Sequence, residues 1–367
     1  MKKTILLSAF LLYSIFSFGQ ATVVWDGGGD GHSWNDGDNW NPNSVPAAGD
    51  FVKLKKNVTI DGTATNNPGR IIIVKQGTNP SSVVLDLDLT IDGISGQHSI
   101  TFNEGCTLTV SNGRTLSVTA PNNRNGINTS NANQNASFIN NGSVTFSGCK
   151  NGILLDGTGC SVENNGTITI TSPSADGIHI SNYTGAQFAN NGTLTITSPA
   201  SDGIESSANF TNDGTISIVD ANTNGIYNKP GAVFNNSGTI SITNPGSTTN
   251  DGINSEAEFN NNLSGAITIN KPGDDCIELT DGTFTNNGDI DVTIEDGANY
   301  VNNGIAIGTT TASATFVNNS NNSVNAHGGP SSKGRAIYVY EAGTLNNNGK
   351  ITVDGSIPVL LFIQKEF

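Results

Sequence analysis

From about residue 100 onward one motif keeps returning: an aromatic or aliphatic residue, any residue, Asn, a polar residue, usually Gly, then alternating polar and β-branched residues. It reads Phe138-Ile-Asn-Asn-Gly-Ser-Val-Thr-Phe, Phe188-Ala-Asn-Asn-Gly-Thr-Leu-Thr-Ile and Phe210-Thr-Asn-Asp-Gly-Thr-Ile-Ser-Ile, and again from Phe234 and Phe284. Val162 and Leu345 begin further copies, and Phe259 and Phe316 looser ones. Between the copies lies a second box built on Asn/Asp-Gly-Ile, centred on Ile127, Ile153, Ile178, Ile204, Ile226, Ile253, Ile277, Ile305 and Ile337, at intervals of 22 to 32 residues. That period belongs to stacked repeats. Strict apolar–polar alternation within each copy predicts strands, because successive side chains on a strand point to opposite faces. No segment after the first residues shows a helical apolar period.

A unit this short cannot bury its apolar face alone, but stacked copies can. If each copy forms one coil, neighbouring strands lie about 4.8 Å apart and like residues sit above like. Phe138, Phe188, Phe210, Phe234, Phe259, Phe284 and Phe316 then form an interior stack, with the Ile series on another wall. Strand parity turns Asn140, Asn164, Asn190, Asn212, Asn236, Asn261, Asn286, Asn318 and Asn347 inward too. An inward amide is costly unless paired, so an asparagine ladder is expected, each amide bonded to its neighbours and to the corner backbone. Gly after Asn is expected to supply a positive φ at a sharp corner.

These residues resemble the right-handed parallel β-helix proteins of bacterial secretion, which include adhesin-like surface proteins and pectin-degrading enzymes. The resemblance covers about residues 57–354. It implies an all-β fold, a right-handed single-stranded parallel β-helix of about 10 to 12 coils, the strand spacing making it roughly 50 Å long. Composition agrees with that reading. The 44 Gly and 13% charged residues would otherwise suggest disorder. A net charge of -15, with 16 basic residues scattered along the chain, excludes nucleic acid as a partner.

The ends differ from the repeats. Lys2-Lys3, an apolar run from Ile5 to Phe18 and Gly19-Gln20-Ala21 match a secretory signal over residues 1–19, and no second run of membrane-spanning length follows. Residues 20–56 hold all three tryptophans, Trp25, Trp34 and Trp40, and look like the Trp-rich opening of exported β-solenoid surface proteins. They are expected to cap the open sheet edge ahead of repeats spanning residues 57–367. Asp26, Asp30, Asp36 and Asp38 in that cap are calcium candidates, although their spacing departs from an EF-hand loop. Among four cysteines, Cys149 and Cys160 are close enough to pair, and buried thiols are the alternative; the spacing of Cys106, Cys149, Cys160 and Cys276 fits no zinc motif. The apolar end, Ile357 to Ile363, either folds over the last coil or marks the chain as a piece of a longer one.

Three features bear on function. Asn250-Asp251-Gly-Ile and Gly273-Asp274-Asp275-Cys276-Ile277 are similar to the aspartate motifs of polygalacturonases of this fold, which implies acid and base carboxylates at Asp251, Asp274 and Asp275. The Gly-His-Gly and Arg-Ile-Lys motifs of that family are missing, and Asp176 and Asp202 occupy the same corner elsewhere. The residues after the Ile series, His179, Glu205, Tyr227, Asn254, Glu278 and Tyr338, are expected to point outward along one wall, either as a glycan- or protein-binding face or as solvated decoration. A Thr strip, Thr167-Thr169-Thr171, Thr193-Thr195-Thr197, Thr215-Ser217 and Thr239-Ser241-Thr243, resembles the ladders of ice-binding solenoids, but Thr is also favourable on any exposed strand. The expectation is a secreted or bacterial cell-surface structural or adhesive module, non-catalytic, with an extracellular glycan or protein partner and no cofactor besides candidate calcium. The alternatives are a polysaccharide-degrading enzyme and, behind it, an ice-binding protein.

Overall fold

The computed structural model describes residues 20–355 apart from 122, 131–133, 246–249, 295–301, 320–322 and 329–334. The putting together of the repeats is a parallel β-solenoid of about 12 coils with almost no helix. Three sheets run along it, of 14, 12 and 11 strands, and each strand pairs with its counterpart one coil earlier and one coil later. The pairing inside the sheets is parallel except at the N-terminal edge, where Trp25 sits antiparallel to Trp40. The first sheet carries the Ile series, with Ile178, Ile204, Ile226, Ile253 and Ile277 in continuous register. The second carries the Phe and Asn rows. The third carries the Thr strip on its outer side, with Thr167, Thr193, Thr215 and Thr239 in register.

Parity fills the interior as the alternation requires. Six rings, Phe188, Phe210, Phe234, Phe259, Phe284 and Phe316, stack at centroid spacings of 4.5 to 5.3 Å. Phe138 is buried as well, but its register partner is Val162, so the ring stack breaks there. The asparagine ladder runs unbroken from Asn140 to Asn347, each Nδ2 donating to the next Oδ1 at 2.7 to 2.9 Å. On six of the rungs, Asn140, Asn164, Asn190, Asn212, Asn261 and Asn318, the same Nδ2 also donates to a carbonyl on the next coil, as from Asn190 to the Thr215 oxygen at 3.1 Å. Removing one rung strands a donor on one side and an acceptor on the other, at about 1–3 kcal/mol for each buried group left unpaired.

The corner glycines work differently from the expectation. Gly166, Gly192, Gly214 and Gly238 follow the ladder asparagines, yet none has a positive φ. Their constraint is close approach: a Cβ on any of them would lie 1.9 to 2.0 Å from the carbonyl oxygen of the matching glycine one coil before. At the end of the Thr strands the left-handed residue is Gly148 on one coil and a non-glycine on the next five: Ser172, Ser198, Asp220, Asn244 and Lys271 have φ between 47° and 55°. Each turns its N–H onto the next coil, as Ser198 does to the Val219 oxygen at 2.8 Å.

At the N-terminal end Trp25, Trp34 and Trp40 are fully buried, with Trp40 edge-on to both partners at 4.9 Å. Trp40 Nε1 donates to the Trp34 carbonyl at 2.7 Å. The Ile sheet runs on into this segment through strands Thr22–Trp25 and Phe51–Leu54. No disulfide joins Cys149 to Cys160; all four cysteines are buried thiols, and burial pushes Cys149 up to about 12. The apolar interior accepts a thiol as readily as a small aliphatic side chain. The signal pattern of residues 1–19 and the apolar stretch 357–363 lie outside the described residues, within which no helix is long and apolar enough to cross a membrane.

Candidate functional site on the isoleucine sheet

Two rows of side chains define the outer wall of the Ile sheet. One sits at the corner two residues before each Ile: Asn125, Asn151, Asp176, Asp202, Asn224, Asp251, Asp275 and Asn303. These form a second ladder. Each Oδ1 accepts the backbone N–H of the matching residue on the next coil, at 3.2 Å from Asn125 to Asn151, 3.0 Å from Asn151 to Asp176, 3.2 Å from Asp176 to Asp202 and 2.8 Å from Asp202 to Asn224. It continues through Asp251 and Asp275 to Asn303. An aspartate here serves the backbone as an asparagine does. That role is common to Asp251, Asp275, Asp176 and Asp202, which places the polygalacturonase-like motif on the ordinary corner of the repeat.

The other row holds the outward residues of the short strands. His179, Glu205, Tyr227, Asn254 and Glu278 stand in consecutive register, one coil apart. Tyr338 does not join them. Ala306 separates it from Glu278, and it is only 8% exposed, packed edge-on to Tyr340 with the Arg335 guanidinium 4.3 Å over its ring. The five that do align are half-buried and held by neighbours. Lys229 Nζ donates to Glu205 at 2.7 Å and lies 5.3 Å from the Tyr227 ring, and Tyr227 donates its hydroxyl to Glu256 at 2.9 Å. Burial, then the bond to Glu256, pushes the Tyr227 phenol up.

Two acidic groupings form where the rows meet. Asn254 Nδ2 donates to Asp251 at 2.9 Å and to Glu278 at 2.7 Å, drawing these carboxyls together. Burial, then Glu278 and Asp275, holds Asp251 well above the usual carboxylate range; burial and then Asp274 do the same to Asp275. Asp274 is half-buried and raised by burial, then by Glu278. Of the sequence candidates Asp251 and Asp275 are therefore in contact, and Glu278 and Asn254 complete their group.

The second grouping lies three coils nearer the N-terminus. His179 Nδ1 is 3.0 Å from Asp176 Oδ2 and 3.6 Å from Glu205 Oε1. The bond to Asp176 raises the imidazole pKa against the opposing effect of burial. An open cleft of about 380 Å³ lies against these residues, with Lys150, Asp156 and Ser181 on its other walls. Toward the N-terminus the wall turns cationic. His98 accepts the Asn125 N–H at 3.0 Å and is held down to about 4 by burial, then by Arg124, Arg70 and Lys150.

In the N-terminal segment Asp30 and Asp36 share one loop, but their oxygens face donors of that loop. Asp30 Oδ1 accepts from the N–H of His32 and Ser33 and from Asn39 Nδ2, and the bond from the Ser33 side chain, then these, hold its carboxyl far below the usual range. Asp36 accepts from the N–H of Asp30 and Asp38, Asp26 from that of Gly28, and Asp38 from Asn43 Nδ2. Among the described residues the one convergent group of three His, Cys, Asp or Glu side chains is Asp176, His179 and Glu205. Sequence reading placed His179 and Glu205 on one wall but missed Asp176 as their partner and Lys229 as the cation on Glu205. The signal was present as the Asx two residues before each Ile. No family model, curated protein or solved structure matches the chain.

Proposed function

We propose that the chain is a display scaffold of the cell exterior, binding an extracellular glycan or protein along the outer wall of the Ile sheet. The observation that carries this reading is the in-register row His179, Glu205, Tyr227, Asn254 and Glu278. Over four coil steps it offers imidazole, carboxylate, phenol and amide groups along roughly 20 Å, at the strand spacing. Neighbouring side chains already fix several of them, so little further ordering is needed on binding. The signal pattern of residues 1–19 supports export.

The test is a screen of the purified chain against immobilised glycans and matrix proteins, paired with release of reducing sugar from polysaccharides. The expected result is a saturable ligand whose binding falls roughly tenfold in a Glu205→Gln/Tyr227→Ala double variant, as for loss of central anchors. Undiminished binding by that variant overturns the proposed face. The enzyme reading draws on the Asp251 and Glu278 carboxyls, which Asn254 bridges, and on the raised proton affinity of Asp251. Sugar release that disappears in Asp251→Asn would establish it in place of the scaffold.

A further inference from the structure

We propose that Asp176, His179 and Glu205 form a divalent transition-metal site, of the kind that takes Zn²⁺, at the wall of the cleft beside them. The site shares His179 and Glu205 with the row that carries the glycan- or protein-binding reading but does not rest on that reading.

The fold builds the ligand set from two coils. Asp176 is a corner residue, His179 follows it on the short strand, and Glu205 occupies the register position beside His179 one coil later. The three ligand atoms lie within 4.8 Å of one another, with Nδ1 to the two carboxylate oxygens at 3.0 and 3.6 Å. Ligands bonded to zinc at about 2.0–2.2 Å stand roughly 3–3.5 Å apart, so a single ion fits among these atoms with small rotations of the side chains. One imidazole nitrogen and two carboxylate oxygens suit zinc and its late first-row neighbours better than the hard cations calcium and magnesium.

Two features mark the group as oriented for a ligand. Asp176 has its Oδ1 bound to the Asp202 N–H at 3.2 Å, which fixes the carboxylate and aims Oδ2 at His179. That is the supporting contact a metal-binding carboxylate needs. The carboxylate is nearly buried, its side chain 8% exposed, while His179 at 27% keeps one side toward the cleft. The cleft of about 380 Å³ leaves room for water or an incoming group to complete the coordination. The metal takes the place of the Nδ1 proton, and the ring keeps its other proton on Nε2. Lys229 holds Glu205 at 2.7 Å and thus competes with the ion for the same oxygen. Zinc binding requires its ammonium group to swing aside.

The experiment is calorimetric titration of the full chain with ZnCl2, with no glycan or protein ligand present. The expected result is saturable binding of one ion per chain, weakened roughly tenfold or more by His179→Ala and by Glu205→Gln, in line with the loss of a metal's supporting contacts or ligands. Lys229→Met should bind zinc several-fold more tightly, a gain that misfolding does not produce. Lack of saturable binding, affinity unchanged in His179→Ala, or affinity unchanged or lower in Lys229→Met would each overturn the site. If His179→Ala fails to fold, Lys229→Met decides alone.

Discussion

Asp202 holds a carboxyl where the equivalent corners at Asn151, Asn224 and Asn303 hold an amide. Its Oδ1 accepts the Asn224 N–H at 2.8 Å and the Thr223 hydroxyl at 2.5 Å, bonds that an amide oxygen can also receive. Burial raises its pKa from an ordinary 3.8 to about 6 despite these bonds. The folded state therefore favours the protonated form. Its stabilising contribution is fully present below about pH 4 and is lost as pH rises through about 6, a change of roughly 3 kcal/mol at 1.36 kcal/mol per pKa unit. Asp202→Asn should flatten the pH dependence of the unfolding midpoint between about pH 4 and 6 and raise the midpoint at neutral pH. Equal slopes for variant and parent across that window would refute the assignment.

At the scale of the strand and its corner, close approach and backbone handedness make different demands. A Cβ on Gly238 would meet the Gly214 oxygen at 1.9 Å, whereas Gly231 has a φ of 86° and nothing within 4 Å of an added Cβ. Gly238→Ala should lower stability by more than about 3 kcal/mol, and Gly231→Ala by about 1–2 kcal/mol, the cost of a left-handed L-residue. Similar losses in urea unfolding would mean that the corners yield more readily than their packing implies. Strands, inward rows and the first asparagine ladder were legible because parity and spacing repeat in every copy. The glycine mechanism was not, since φ and crowding leave the same residue in the sequence. The left-handed corners carried no single signature, because Ser172, Asp220, Asn244 and Lys271 share a conformation but no side chain. Of the site, the row from His179 to Glu278 was legible as outward strand positions. The burial of Tyr338 and the turn of Asp176 toward His179 depend on neighbouring coils, which spacing along one chain does not specify.

Along the whole molecule each coil bonds only to the coils before and after it, so no contact depends on the total number of coils. Deleting residues 189–210 joins Phe188 to Thr211-Asn212 and restores the Phe-x-Asn motif with one coil fewer. The shortened chain should fold cooperatively, and its maximum dimension by solution scattering should fall by about 4.8 Å, the strand spacing. Collapse into an unfolded chain would show that distant coils are coupled. Because inward rows carry the ring stack and the first asparagine ladder while outward positions such as the Thr strip alternate with them, an outward strand side chain can be exchanged without touching a stacked ring or a rung of that ladder. Altering what the surface recognises and keeping the rod upright are thus largely separate problems, and a new specificity can be acquired one rung at a time.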